Sequence, residues 1–319
     1  LATISGYDGN PTHPIVADYE AMNVTGVVDP DNLSLVNEVV AGLPLEDTDT
    51  TGEVQNIVNA VQAVLDGAAG GADEPTLEDL QLLGIVNVTE ENIEDIRAII
   101  AATDDGGADV ATIAAIQGVV DDGLAAVATL TAYDASQAAP DEAVYETAGV
   151  TGVVPANIED INNFLETLDD GATDSVAEIQ AIADGVTAVV NGADANDASA
   201  VTLDNLLALG ITGASAANLA LVQAAIAAEI GDDIDTAADL QAIIDAIPPT
   251  VVSVDITSDA GDDNAYGEGD AIQFTVTMSE ATTVDGAPTL ALTVGNTPQF
   301  ATYVSGSGTS ELVFEYTAQ

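Results

Sequence analysis

Apolar residues recur at helical spacing up to Pro249 and then switch to strict alternation, so the chain divides into a helical part and a β part. The helical part repeats itself. Gln55, Gln117, Gln180 and Gln241 each follow an apolar residue, and Asn32, Asn92, Asn157 and Asn218 each precede Ile or Leu. Both sets recur about every 62 residues, which marks a module duplicated four times. Each copy predicts three helices. The first spans 15–22, 76–83, 141–148 and 202–209, and ends at Asn23, Gly84, Gly149 or Gly210, residue types that tolerate a left-handed helix end. An apolar residue follows, at Val24, Ile85, Val150 and Ile211.

The second helix is predicted to be capped at Asp29, Thr89, Val154 and Ser215, with Pro30 and Pro155 at first helical positions. Its apolar spacing is helical, as in Ile93, Ile96, Ile99 and Ile100. After a polar loop the third helix carries Val54, Ile57, Val58, Val61 and Leu65 in the first copy, and equivalent apolar sets in the others. A core of this size supports only a few kcal/mol of stability, so neighbouring copies are expected to pack on one another. The repeated Gln is expected to bridge backbone at a helix–helix contact rather than to bind a ligand. Segments 66–75, 134–141 and 191–199 read as joints, and Pro248-Pro249 as a stiff spacer. Beyond it, 251–257, 271–279, 289–294, 300–304 and 311–317 alternate apolar and polar residues between Gly-, Asp-, Asn- and Pro-rich turns, a β-sandwich pattern.

Charge changes this picture more than any other feature. The chain has 55 acidic residues and one cation, Arg97, for a formal net charge of −54. Phosphate neutralisation needs Lys and Arg, so nucleic-acid binding and anionic membrane surfaces are excluded as partners. Self-repulsion favours an extended array in a salty or calcium-rich medium. Without Cys, stability rests on many small cores, metals or neighbours. Aromatic residues make up 3% and Trp is absent, so the cores are aliphatic and sugar stacking is disfavoured. No uninterrupted apolar run is long enough to predict membrane insertion. The start at Leu1 suggests a segment of something longer.

Candidate chemistry is sparse. His13 lies between Pro11 and Pro14 with no second His or Cys to join it as a zinc ligand, and reads as a loop residue. No phosphate-binding loop or nucleophile elbow is present, and no catalytic residue is assigned. Calcium is the one candidate cofactor. Its oxygen ligands would be Asp259, Asp262, Asp263, Glu268 and Asp270, with Asn264, in the loop between the first two strands. Asp194, Asn196 and Asp197 form a second acidic cluster at a joint. Neither has the spacing of a helix–loop–helix calcium site.

Three stretches of the β part, 274–280, 284–290 and 301–314, resemble the bacterial immunoglobulin-like repeats of giant surface adhesins and biofilm matrix proteins. The helical copies are similar to Ala- and Asp-rich repeats of large exported proteins of marine bacteria. The resemblance implies secretion, tandem arrays at a cell surface or in a matrix, and calcium at the joints. An immunoglobulin-like sandwich needs about 100 residues and seven strands. The β part is shorter and stops at Gln319, just after a strand, so its last strand is expected to be missing.

The expected architecture is therefore multidomain α and β: four tandem three-helix units, then an immunoglobulin-like β-sandwich lacking its last strand. Residues 1–13 would be a strand or linker completing a neighbouring β module. The helical units would occupy 14–74, 75–139, 140–200 and 201–249, and the sandwich 250–319. The expected function is a non-enzymatic extracellular filament, stalk or matrix array, joined head-to-tail by β-strand complementation. Its partners would be copies of itself, with cell-surface or matrix components. The alternative is a ligand-binding adhesin fragment, recognising a host protein or a glycan. A salt-adapted enzyme explains the acid bias but neither the repeats nor the absent chemistry.

Overall fold

The computed structural model describes residue 4 and residues 7–9, 13–28, 30, 32–103, 109–134, 136–168, 173–261 and 265–319. Among these are twelve α-helices and one five-stranded antiparallel sheet, a mixed α and β chain. The helices follow a short–medium–long order four times over. The first series is α1 (Val16–Glu20), α2 (Leu33–Gly42) and α3 (Thr51–Ala68), and the second is α4 (Leu77–Leu82), α5 (Ile93–Ala101) and α6 (Ile113–Thr131). The third is α7 (Glu142–Thr147), α8 (Ile158–Thr167) and α9 (Val176–Asp194). The last is α10 (Leu203–Ala208), α11 (Leu219–Ile226) and a shortened α12 (Ala237–Asp245). Two compact units result, Leu1–Thr187 and Ala188–Gln319, with the boundary inside α9.

The short helices end where the sequence predicts. Asn23, Gly84, Gly149 and Gly210 all have positive φ, between 60° and 86°. The amide of the next residue then reaches back to the first helix, as in Val24 N–H to Tyr19 O and Val150 N–H to Tyr145 O. That bond satisfies a carbonyl the helix end would otherwise leave unpaired. Gly149 is fixed twice over: φ is +86°, and a Cβ there would lie 2.9 Å from the Ala98 backbone on α5.

The middle helices begin three residues later than predicted. The cap residues are the repeated Asn32, Asn92, Asn157 and Asn218. The expected caps Thr89, Val154 and Ser215 precede them and donate their amides to the Asn side chains instead. Asp29 lies outside the described residues.

In the first compact unit, one hydrophobic cluster runs from Ile4 through Tyr19, Leu35, Ile57, Leu80 and Ile96 to Val120. The first two helical series therefore share a core and are not separate beads. Close approach is part of this packing: a Cβ on Gly123 of α6 would fall 2.4 Å from Ile99 Cγ2 on α5. Among the described helices α6 is long and apolar enough to cross a membrane by length and composition. It carries Asp121 and Asp122 midway, and its Ile116 and Val120 lie in the shared core.

The five strands match the predicted set: β1 (Val251–Ile256), β2 (Ala271–Thr282), β3 (Thr289–Val294), β4 (Thr297–Ser305) and β5 (Thr309–Thr317). Their order across the sheet is β1-β2-β5-β4-β3, all antiparallel. The register places Val254 opposite Val276, Phe274 opposite Phe314, and Leu290 opposite Ala301. These pairs put Val254, Ile256, Phe274, Val276, Leu312, Phe314, Ala301 and Leu290 on one face. Val276, Ala301, Leu312, Phe314 and Tyr316 form its buried centre. The described strands make a single sheet; the second layer that a sandwich requires is not among them.

Candidate functional site

Each helical series is tied together by the same three side-chain clamps. The first is the repeated Gln on the long helix. Gln180 Oε1 accepts from Thr151 N–H at 2.7 Å while its Nε2 donates to Thr151 O at 3.2 Å. Gln55 does the same to Thr25, Gln117 to Val86 and Gln241 to Thr212. A primary amide carries one acceptor and two donors, so it satisfies both polar groups of one exposed backbone residue. The remaining N–H goes to Asn59, Asp121, Asp184 or Asp245 one turn along. The repeated Gln is thus a backbone bridge, as expected.

The second clamp is the cap Asn. Its Oδ1 accepts from Val28, Thr89, Val154 or Ser215, and its Nδ2 donates to the carbonyl of Gly26, Asn87, Gly152 or Gly213. The third clamp lies five residues further along the middle helix. Asn37, Arg97, Asn162 and Gln223 donate to the carbonyls of Pro14, Pro75, Pro140 and Val201, each just before a short helix. Arg97, the lone cation, is one version of this clamp, and it also pairs with Glu94 at 2.7 Å.

The clamps reveal an alternation. In the first and third series a buried Tyr donates to the clamp Asn: Tyr19 to Asn37 and Tyr145 to Asn162, both at 2.6 Å. In the second and fourth, Leu80 and Leu206 fill the Tyr position beside Arg97 and Gln223. The buried residue seven before the repeated Gln alternates too, Thr48 and Thr173 against Val110 and Ile234. The larger period is about 125 residues, a pair of helical series duplicated. Burial raises the pKa of the Tyr19 and Tyr145 hydroxyls well above the usual tyrosine value, with neighbouring Tyr7 and Tyr133 adding to it.

Sequence reading missed the third clamp and the caps of the long helices. Thr50, Thr112, Ser175 and Thr236 cap α3, α6, α9 and α12 by accepting from the amide three residues on. A signal was present, since Thr50–Glu53 and Ser175–Glu178 are capping-box spacings. Carboxylates from the preceding series add to two of these ends. Glu38 on α2 accepts from Ile113 N–H at 3.4 Å, and Asp95 on α5 from Val176 N–H at 2.9 Å. A negative group there complements the partial positive charge of a helix N-terminus. Around Asp95 lies an open groove of about 740 Å³ whose lining includes Glu91, Glu94 and Asp174.

Of the candidate calcium ligands, Asp259, Glu268 and Asp270 are among the described residues. Asp259 accepts from the Gly261 amide at 2.9 Å, and Asp270 from the Gly267 amide at 2.7 Å, each within its own turn. Glu268 is exposed, and Asp262, Asp263 and Asn264 lie outside the described residues. At the second cluster, Asp194 accepts from the Gly231 amide and Asp197 from the Ser199 amide. Among the described residues no group of three His, Cys, Asp or Glu side chains converges. His13 is held by the Tyr7 hydroxyl and by an edge-on ring contact at 5.7 Å.

The β-sheet exposes a cluster of large apolar side chains. On β1, Val251, Val254 and Ile256 are 58%, 45% and 57% exposed, although their register puts them on the apolar face; Val252, at the bulge, is 51% exposed. Phe300 is 60% exposed, and Val294 and Val304 about half. Residues 286–310, which include edge strand β3 and its partner β4, carry no charged side chain in a chain of net charge −54. At the other end of the sequence, Ile4 is buried in the helical core and Tyr7 turns back on it, N–H to Ile4 O at 3.0 Å. The rest of segment 1–13 is mostly outside the described residues, so its expected role as a donated strand is left to the proposal below. No family model, curated protein or solved structure matches this chain.

Proposed function

We propose that this chain is a non-enzymatic structural module of an extracellular filament, stalk or matrix array. Its tandem three-helix units serve as a spacer, and an immunoglobulin-like sandwich joins copies head-to-tail by accepting a strand. The observation that carries this reading is the sheet: it pairs an uncovered apolar face over β1 with an edge strand, β3, that has no protective feature. Edge strands of soluble proteins are usually blunted by charge, proline or a bulge. β1 has a bulge between Val251 and Ser253 and carries Asp255, whereas Thr289–Val294 has none of these. A like-charged copy can approach only where carboxylates are absent, and the β3–β4 hairpin meets that condition.

The resemblance to adhesin repeats supports the same reading, and so do four helical series held by repeated backbone clamps. The donor that the sequence suggests is the N-terminal segment of another copy. Donation would pull Ile4 out of the helical core at a cost of about 1.5–3 kcal/mol, which the new strand ladder has to offset. Calcium belongs to the proposal as an ion that would neutralise the β1–β2 loop. A calcium titration that leaves thermal unfolding unmoved removes it.

The test is electron microscopy of the native material, with polypeptide mass by denaturing gel. Regular filaments whose subunit is near 32 kDa mean separate chains joined by strand donation. A far larger polypeptide means a covalent tandem array. Ala291→Asp, which places a charge on β3, should stop end-to-end growth of separate chains. Monodisperse native particles contradict the proposal and favour the ligand-binding adhesin fragment.

A further inference from the structure

We infer that the α10–α11 face is a second contact surface, by which copies of this chain associate side to side. The chain supplies its own control, because the same positions occur in three earlier helical series. Leu207 follows the buried Leu206 and is 74% exposed; its counterparts are Glu20, Gln81 and Glu146. Leu221, three residues after the cap Asn, is 42% exposed; its counterparts are Leu35, Asp95 and Asp160. Leu35 is only 3% exposed, lying in the cluster that includes Ile116 and Val120 of α6. Ala220 stands where Ser34, Glu94 and Glu159 stand. Each of these positions carries a carboxylate in two of the three earlier series, and here all three are apolar and exposed. Ile230, 62% exposed, follows shortly after α11.

Apart from the clamp residue Gln223, helix α11 is made of apolar residues, a composition that belongs to a covered helix. Stretch 205–228 has no charged side chain. Charge identifies the occupant. A cationic partner would select the carboxylate-rich remainder of the surface. A second copy, itself at −54, can make close contact only through a patch free of carboxylates. Pairing the same face on both copies keeps carboxylates out of both sides. The patch is small, so the contact is weak between single chains and becomes effective when many copies are aligned in an array.

The test is sedimentation of the full chain at low salt and at about 1 M salt, where the screening length falls to about 3 Å. The native chain should associate more strongly at high salt, the reverse of an ion-pair contact. The variant L207E/A220E/L221D restores residues that the chain already uses at these positions. It should bind its own copies at least tenfold more weakly while keeping the native unfolding midpoint. Ala291→Asp, which addresses the β3 edge, should leave this association intact, so the two surfaces fail independently. A native chain that stays monomeric at high salt overturns the inference. So does a triple variant that associates like the native chain, or an association abolished by Ala291→Asp alone.

Discussion

The helical series and the β-sheet use similar aliphatic side chains, yet they finish differently. In the helices, Tyr145, Ile161, Phe164 and Ile179 are fully buried, and the turns between helices are closed by Gln, Asn and Asn or Arg clamps. In the sheet, Val252, Val254, Ile256 and Phe300 stand about half exposed, and the β3 edge has no described neighbour. Backbone polar groups of the helical turns are satisfied by side chains, while the outer edge of β3 has no described strand partner. The helical turns are closed within the chain, whereas the sheet leaves an apolar face and an edge open, the feature on which the proposed strand acceptance rests.

The largest expected effect separates two glycines of similar conformation. Gly149→Ala combines a left-handed φ with a clash against α5, and should cost about 3–4 kcal/mol in urea unfolding. Gly286→Ala in the sheet, at φ +82° with nothing within 4 Å, should cost only about 1–2 kcal/mol. Equal losses would erase the contrast in packing.

Next is the buried clamp. Asn162→Ala leaves the Tyr145 hydroxyl and the Pro140 carbonyl without partners and should cost about 2–4 kcal/mol. The double change Tyr145→Leu with Asn162→Arg copies the Leu80 and Arg97 arrangement and should recover most of that loss. No recovery would show that the two alternating arrangements are not interchangeable.

Alkaline pH addresses the same pair. The Tyr145 pKa is raised in the folded chain by burial, so its contribution is complete below the unfolded value of about 10 and is lost as pH rises above it. Helical circular dichroism should therefore collapse above about pH 10, with the sensitivity reduced in Tyr145→Phe. An unchanged alkaline profile in that variant would assign the loss elsewhere.

These elements were unequally legible. Strand positions and the left-handed ends at Asn23, Gly84, Gly149 and Gly210 followed from alternation and from glycine chemistry, both of which are local. The late helix starts at Leu33, Ile93, Ile158 and Leu219 did not, because the Asn side chains reach backward and hold a non-helical turn. The third clamp was hidden because Asn37, Arg97, Asn162 and Gln223 share a function and no common side chain. Sharing of one core by two series is a long-range property that periodicity within a series does not encode.

The smaller effects lie at the surface. Gln180→Ala removes the two exposed hydrogen bonds to the Thr151 backbone and the one to Asp184, all of which water can replace, and should cost about 1 kcal/mol. Val254→Thr with Ile256→Thr should change the stability of the isolated chain by less than about 0.5 kcal/mol, since both side chains are already half exposed, yet should impair assembly. A large loss of monomer stability would mean that the β1 face is already covered within the chain.

Amide hydrogen exchange in isolated and assembled chains, read peptide by peptide, tests the account most directly. Strand Thr289–Val294 should exchange quickly in the isolated chain and become protected on assembly, while the turns clamped by Gln55, Gln117 and Gln180 are unchanged. Equal exchange of that strand in both states would contradict the claim that another copy completes the sheet.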